Sequence, residues 1–176
     1  MMSSCPEYTK YVNETLGPQL PEGVFEEIKD LESKEDFENP RYFNLLLEHY
    51  YTAHVLRIPL DKWPNAINND FDNTNNEIYV LMLGQSEFGI VGDAKLENWD
   101  RSKDISKISV PTLAIGGTFD TMDPKHMEWM ASQFQVGKYL HCPNGFECDI
   151  TYGKGNFYKN TQKPKHCFDI EPLCDN

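Results

Sequence analysis

The stretch Ser109–Pro124, SVPTLAIGGTFDTMDP, constrains the fold of this chain more than any other. An apolar, β-prone run closes on two glycines, an acid follows in a turn, and a proline then opens a helix. In an open α/β sheet this arrangement delivers a carboxylate to the carboxyl edge of a strand. The run is apolar almost without alternation, the pattern of a parallel strand covered on both faces. The next segment, DPKHMEWMASQF, has its start proline and acid and places Met127, Met130 and Ala131 inward. GKYLHC supplies a second strand, so the segment reads as one βαβ crossover. Two strands fall short of a stable sheet, and the apolar edge and face of such a half-sheet either find a protein partner or aggregate. Asp120 is the first candidate for chemistry, because an acid at that place is useful when it orients a histidine that serves a nucleophile.

The region before this unit is mostly helical. Residues 1–20 are polar, with two prolines and a glycine, and read as a leading loop with at most a short helical turn. Over 21–100 the pattern changes. PEGVFEEIKDLESKED places Val24, Ile28 and Leu31 on one helical face with acids in its first turn, and a second helix follows NPRYFNLLLEHYYTAHVL from about Pro40. DKWPNAINNDF and NNEIYVLMLG are two further short helical segments, the latter equally readable as a buried strand. After a loop rich in glycine and acids, residues 101–145 hold a short helix, RSKDISKI, and the βαβ unit. Residues 146–176 have no sustained periodicity and much Gly, Lys, Asn and Pro, and read as an irregular tail.

With 16 basic against 28 acidic residues the formal charge is −12, which repels phosphate backbones and anionic membrane surfaces. Nucleic acid and membrane are excluded as partners on that ground. No basic and apolar leader opens the sequence and no apolar run approaches the length of a membrane span, so a cytoplasmic protein is expected. Five cysteines are an odd number for a disulfide scaffold. Cys142, Cys148, Cys167 and Cys174 form with His141 and His166 two similar patches, HCPNGFEC and HCFDIEPLC, which offer soft ligands to zinc. Neither has the cysteine spacing of a zinc knuckle, so reduced, scattered thiols, Cys5 among them, are expected, with no metal and no cofactor.

NPRYFNLLLEHYYTAHVLRIPLDKWP, LGQSEFG, LENWDRS, VPTLAIGGTFDTMDP and YLHCPNG, in this order, resemble the cap and carboxyl-terminal half of proline iminopeptidases of the α/β-hydrolase superfamily. The resemblance runs over roughly residues 3–145. It implies an α/β protein with a partial α/β-hydrolase fold, in which a mostly helical cap is followed by one βαβ unit of the parallel sheet and an irregular tail. It also implies a serine hydrolase that releases proline from peptides with a free amino-terminal proline. Such enzymes carry a serine at a glycine-flanked strand-to-helix elbow, an acid after a later strand and a histidine on the next loop. The acid role falls on Asp120, whose other reading is turn chemistry, while Asp123 reads as the helix cap before Pro124.

The other two roles are unmatched. No glycine-x-serine-x-glycine string occurs in the chain. In the family the elbow and the oxyanion loop lie upstream of the segment resembling MMSSCPEYTKYV, so the chain is expected to begin after them, at an internal methionine. The family runs from proline-asparagine-glycine through serine to the catalytic histidine, whereas CPNG is followed here by Phe146 and Glu147. Glu147 thus occupies the imidazole position, where a carboxylate cannot shuttle protons near neutral pH and repels Asp120. His126 and His141 read as structural or solvent-facing, and His166 lies too far along the tail. The loss of resemblance from Phe146 points to a frameshift, a misread splice junction or a gene fragment.

Glu87, in GQSEFG, matches the cap acid that holds the substrate's α-amino group in the family, and Glu48, in LLLEHYY, is a second candidate from helix placement. Both are otherwise solvated acids of an acidic protein. Tyr42, Phe43, Tyr50, Tyr51 and Trp63 either wall a proline pocket or belong to the core. The expectation is a chain inactive on its own. A non-catalytic interaction module or one complementing half of a split hydrolase is the alternative, and a Cys/His metal-binding tail comes third.

Overall fold

A computed structural model describes residues 3–143, together with the backbone of Cys148–Asp149 and His166–Cys167. Residues 3–20 are helical, not the loop expected. Helix α1 (Cys5–Tyr11) is capped by Ser4, whose Oγ accepts from the Glu7 amide at 3.4 Å, and passes through a wide π turn (Val12–Leu16) into a 3₁₀ turn (Gly17–Gln19). Pro6 and Pro18 each sit at the start of a helical turn, where a missing N–H costs nothing, so neither breaks the run. Val12, Leu16 and Leu20 recur at helical spacing and are buried.

Helix α2 (Val24–Ser33) buries Val24, Ile28 and Leu31, as its periodicity predicts. Helix α3 (Pro40–Leu45) is capped by the Asn39 side chain and continues through a π turn (Leu46–Tyr51) into α4 (Thr52–His54). The extra residue of a π turn shifts the buried face by one position, which lets Leu45, Leu46, Tyr50 and Tyr51 all point inward. Helices α5 (Asn65–Asn73) and α6 (Asn76–Leu83) complete the helical region without a fully buried residue of their own. For NNEIYVLMLG the helix wins over the strand: Asn75 caps it by accepting from the Ile78 amide at 3.1 Å, and Gly84 ends it at φ 86°.

These helices enclose one apolar core of which Val12, Ile28, Leu45, Tyr50 and Phe88 are the most buried members. A second, smaller core lies under helix α7 (Pro124–Gln133) and joins Ile105, Ala114, Met127, Met130, Ala131 and Phe134. Strands β1 (Thr112–Gly117) and β2 (Gly137–Cys142) pair in parallel from Thr112↔Gly137 to Gly117↔Cys142, which with α7 makes the expected βαβ unit. Asp123 caps α7 by accepting from the Lys125 amide at 2.9 Å. The close approach of helix to strand requires a glycine at 137, where a Cβ would stand 1.9 Å from the Ala131 carbonyl. Among the described residues β1 is covered on one face: α7 lies against Ala114, while Leu113, pointing the other way, is 43% exposed. Beyond residue 143, Cys148–Asp149 (β3) and His166–Cys167 (β4) form a short parallel pair. No helix among the described residues is long and apolar enough to cross a membrane.

The two cores meet at two histidines. Ser3 Oγ lies 2.7 Å from His126 Nε2 on α7, and His54 Nδ1 lies 3.0 Å from the Phe119 carbonyl oxygen. The Phe88 ring, 1% exposed, packs at 5.0 Å from Phe25 and 4.7 Å from Tyr50 between ring centroids. Phe88→Ala is expected to lower the free energy of unfolding by about 3–5 kcal/mol, measured by urea titration of the helical circular dichroism signal.

Candidate active site and cap pocket

Asp120 sits where the sequence places it, in the turn beyond the carboxyl end of β1. Its amide donates to the Gly117 carbonyl at 3.3 Å and its Oδ1 accepts from the Met122 amide at 2.9 Å, so the turn reading of this residue is realised. The acid lines a cleft of about 700 Å³ whose walls include His54, Arg57, Ile115, Thr118 and Cys142. Among the described residues no histidine is hydrogen-bonded to the Asp120 carboxylate. His141 is held by Thr118 Oγ1 at 3.0 Å and Tyr139 Oη at 3.3 Å, and His126 by Ser3, so both have structural partners. Glu147 lies outside the described residues, as do Cys174 and the side chains of Cys148, His166 and Cys167. Among the described residues no group of three or more potential ligands is placed to hold a metal ion.

The residue that sequence reasoning missed is His54. A carbonyl only accepts, so the Phe119 oxygen fixes the His54 proton on Nδ1. Burial pulls the imidazole's pKa down, the Phe119 carbonyl partly opposes this, and the Arg57 charge adds to the fall. Arg57 itself stacks 3.5 Å over the Phe119 ring. The pair therefore grips one residue, Phe119, next to Asp120. Nothing in TAHVLR marks His54 apart from other helical residues, because the contact exists only once α4 lies against the β1 turn.

A second cavity, of about 460 Å³, opens within the helical region. Its walls carry aromatic rings from Tyr42, Phe43, Tyr51, Phe71 and Tyr79, and three acids, Glu38, Asp70 and Glu87, with no lysine or arginine in the lining. Phe71 stacks between Tyr51 and Trp63, at centroid distances of 5.7 and 6.2 Å. Tyr42, Tyr50, Tyr51 and Trp63 all belong to the larger core, and of these Tyr42 and Tyr51 also line the cavity. Glu87 is half-buried and held from several sides. Tyr79 Oη donates to Glu87 Oε1 at 3.1 Å, the Tyr51 hydroxyl donates as well, and the Tyr8 hydroxyl donates to the Glu87 carbonyl at 3.4 Å. Glu32 stands behind this wall and accepts from Ser86 Oγ at 2.6 Å, Tyr42 Oη at 3.0 Å and Lys29 Nζ at 2.6 Å. Ser86 thus serves the turn and its buried acid. Glu48 is not brought into the pocket: its side chain is 54% exposed and faces His49 at 3.9 Å.

Burial pushes the Glu87 carboxyl upward, the Tyr51 and Tyr79 hydroxyls partly oppose that shift, and the charge of Glu32 adds to it. The same burial, reinforced by the Glu87 charge, raises the Tyr51 and Tyr79 hydroxyls well above the ordinary phenol range. The site is a carboxylate kept short of water, ringed by neutral donors and aromatic faces.

A helical cap seated on a parallel βαβ unit is the geometry of part of an α/β-hydrolase, and solved structures bear out this class. The chain superposes on the crystal structure of VinJ with a TM-score of 0.72 at 23% identity, covering 81% of this chain and 47% of that one. It superposes on a proline iminopeptidase from Mycobacterium smegmatis with a TM-score of 0.67 at 21% identity, covering 81% and 46%. No protein-family profile matches. Within the class, the chain is homologous over most of its length to proline iminopeptidases. It is 49% identical over 145 residues to that of Flavobacterium johnsoniae, covering 82% of this chain and 48% of the relative. It is 39% identical over 160 residues to that of Chitinophaga pinensis, covering 91% and 52%. The chain therefore spans about half the length of the curated relatives it matches.

The raised carboxyl of Glu87 carries a pH signature. Glu87 holds its proton to a higher pH folded than unfolded, so its contribution to stability is full below the ordinary glutamate value of 4.5 and is lost as pH rises through the folded value. Urea titrations from pH 4.5 upward are expected to show wild type losing stability relative to Glu87→Gln, which keeps the acceptor for Tyr79 and has nothing to ionise.

Proposed function

We propose that this chain is the ligand-binding portion of a proline iminopeptidase-type serine hydrolase, which holds an amino-terminal prolyl group in its cap and does not cleave peptides by itself. The observation that carries the reading is Glu87, poised in an aromatic pocket with acids and without a basic residue in its lining. A protonated secondary amine supplies the missing positive charge and donates two N–H bonds, and the pyrrolidine ring lies against the aromatic walls. Arrival of that cation lowers the Glu87 pKa, so the carboxylate form is the binding form and ligand uptake expels any proton held there.

The chemistry of cleavage needs a nucleophile and a base that this sequence does not match to the family pattern. Asp120 corresponds to the triad acid, and its carboxylate accepts from the Met122 amide and, among the described residues, from no histidine. A lone orienting acid gives no general base and no oxyanion stabilisation. The names of the relatives support the substrate class, and the acidity of the pocket supports the amine.

Isothermal titration with prolinamide is expected to show binding that Glu87→Ala weakens by tenfold or more, and N-acetylprolinamide, which has no ammonium, is expected not to bind. A proline anilide is expected to remain uncleaved. Turnover that survives purification and a serine-directed inhibitor would refute the inactive reading, and equal binding of both amides would refute the ammonium site.

A further inference from the structure

We propose that Glu32 is a positioning residue for ligand binding, which fixes the Glu87 carboxylate in the cap cavity by orienting the hydroxyls of Tyr42 and Ser86 toward the turn that carries it. This rests on the amine-binding reading of that cavity. Glu32 projects from α2, and its side chain is 7% exposed. It is not among the residues lining the cavity, so it acts on a ligand only through other groups. Burying a carboxylate is unfavourable unless its oxygens are supplied with donors. Glu32 divides its two oxygens: Oε2 accepts from Lys29 Nζ at 2.6 Å, and Oε1 accepts from both Ser86 Oγ at 2.6 Å and Tyr42 Oη at 3.0 Å.

An ionised carboxylate only accepts, so each hydroxyl commits its one proton to Glu32 and keeps its lone pairs for the turn. Tyr42 Oη accepts from the Glu87 amide at 3.4 Å, and Ser86 Oγ accepts from the Phe88 amide at 3.0 Å. Two successive amides are thereby tied through hydroxyls to one buried acid. A charged acceptor at the head of such a chain polarises the hydroxyls and strengthens the bonds that follow. The other ties of the segment grip different atoms, the Glu87 and Phe88 carbonyls and the Ile90 amide. The Glu87 residue is therefore held at its N–H through α2 and α3 and at its carbonyl by Tyr8 of α1. With the backbone fixed at both ends of the residue, its side chain is set against the Tyr51 and Tyr79 hydroxyls.

The test combines residue-resolved amide hydrogen exchange on the ligand-free chain with isothermal titration of prolinamide. Glu32→Ala is expected to speed exchange at the Glu87 and Phe88 amides and to weaken prolinamide binding about tenfold. Glu32→Gln keeps an oxygen that accepts from both hydroxyls, and is expected to restore the exchange pattern and to bind within about threefold of wild type. Ser86→Ala, which leaves Glu32 and Tyr42 in place, is expected to speed exchange at Phe88 and to add nothing to the loss in a Glu32→Ala background, because both variants break one chain of bonds. Should Glu32→Ala fail to fold, Ser86→Ala and Glu32→Gln still read the chain. Three results overturn the proposal: exchange at Glu87 and Phe88 in Glu32→Ala or at Phe88 in Ser86→Ala that matches wild type, a Glu32→Gln chain as weak as Glu32→Ala, which would leave only the charge pair with Lys29, or losses of the two alanine variants that add in full. A wild-type chain that ignores prolinamide while the exchange pattern holds would sink the ligand reading and leave the role of Glu32 in placing Glu87 supported.

Discussion

The insertion of Phe88 between Phe25 and Tyr50 sets the position of almost everything in the helical region that has chemical interest. The segment from Gly84 to Ile90 has no secondary structure to hold it, and its backbone is tied to α1 and the π turn beyond it. Asn13 Nδ2 donates to the Phe88 carbonyl, and Thr9 Oγ1 accepts from the Ile90 amide at 3.0 Å. Gly89, at φ 143°, allows this approach, since a Cβ there would meet Thr9 Cγ2 at 2.7 Å. With the ring buried and both neighbours tied down, residue 87 has one place to go, against the hydroxyls of Tyr51 and Tyr79. An apolar anchor thereby positions a carboxylate whose own desolvation is unfavourable.

That arrangement bears on ligand choice. A chain of net charge −12 has no shortage of acids at its surface, and most of them are solvated, as Glu48 is. Glu87 differs because its partners are phenols, which stabilise the carboxylate by hydrogen bonds without neutralising it. Glu32, one layer behind, has a lysine and two hydroxyls of its own. On the proposed reading, Glu87, more buried than Glu38 and Asp70 in the same lining, is the acid that a cationic ligand would complete. Aromatic walls then favour a cation attached to an apolar ring over a strongly hydrated one.

What was legible in the sequence followed from local rules. The βαβ unit, the Asp123 cap, the inward Met127 and Met130, and the buried face of α2 all obey periodicity and capping chemistry within about ten residues. The helical path of residues 3–20 is hidden in the sequence, where polar composition outweighs three apolar positions at helical spacing and two prolines count as breakers unless they fall at the start of a turn. The ambiguity over NNEIYVLMLG is settled by its ends, an asparagine cap and a glycine at positive φ, since an apolar run has no period of its own. His54, the exposed Leu113 face and the cavity lining depend on contacts between segments far apart in the chain, which a local pattern does not carry.

Asp120 keeps its place with no histidine hydrogen-bonded to its carboxylate among the described residues. In a complete triad the carboxylate and the imidazole fix each other. Here one carboxylate oxygen is satisfied by the Met122 amide and the backbone closes on Gly117, so the turn is determined within six residues of chain. His54 and Arg57 then clamp the preceding Phe119 from the cap side, through a hydrogen bond and a stacked guanidinium. The local turn thus sets the position of the acid, and the clamp on Phe119 ties that turn to the helical region.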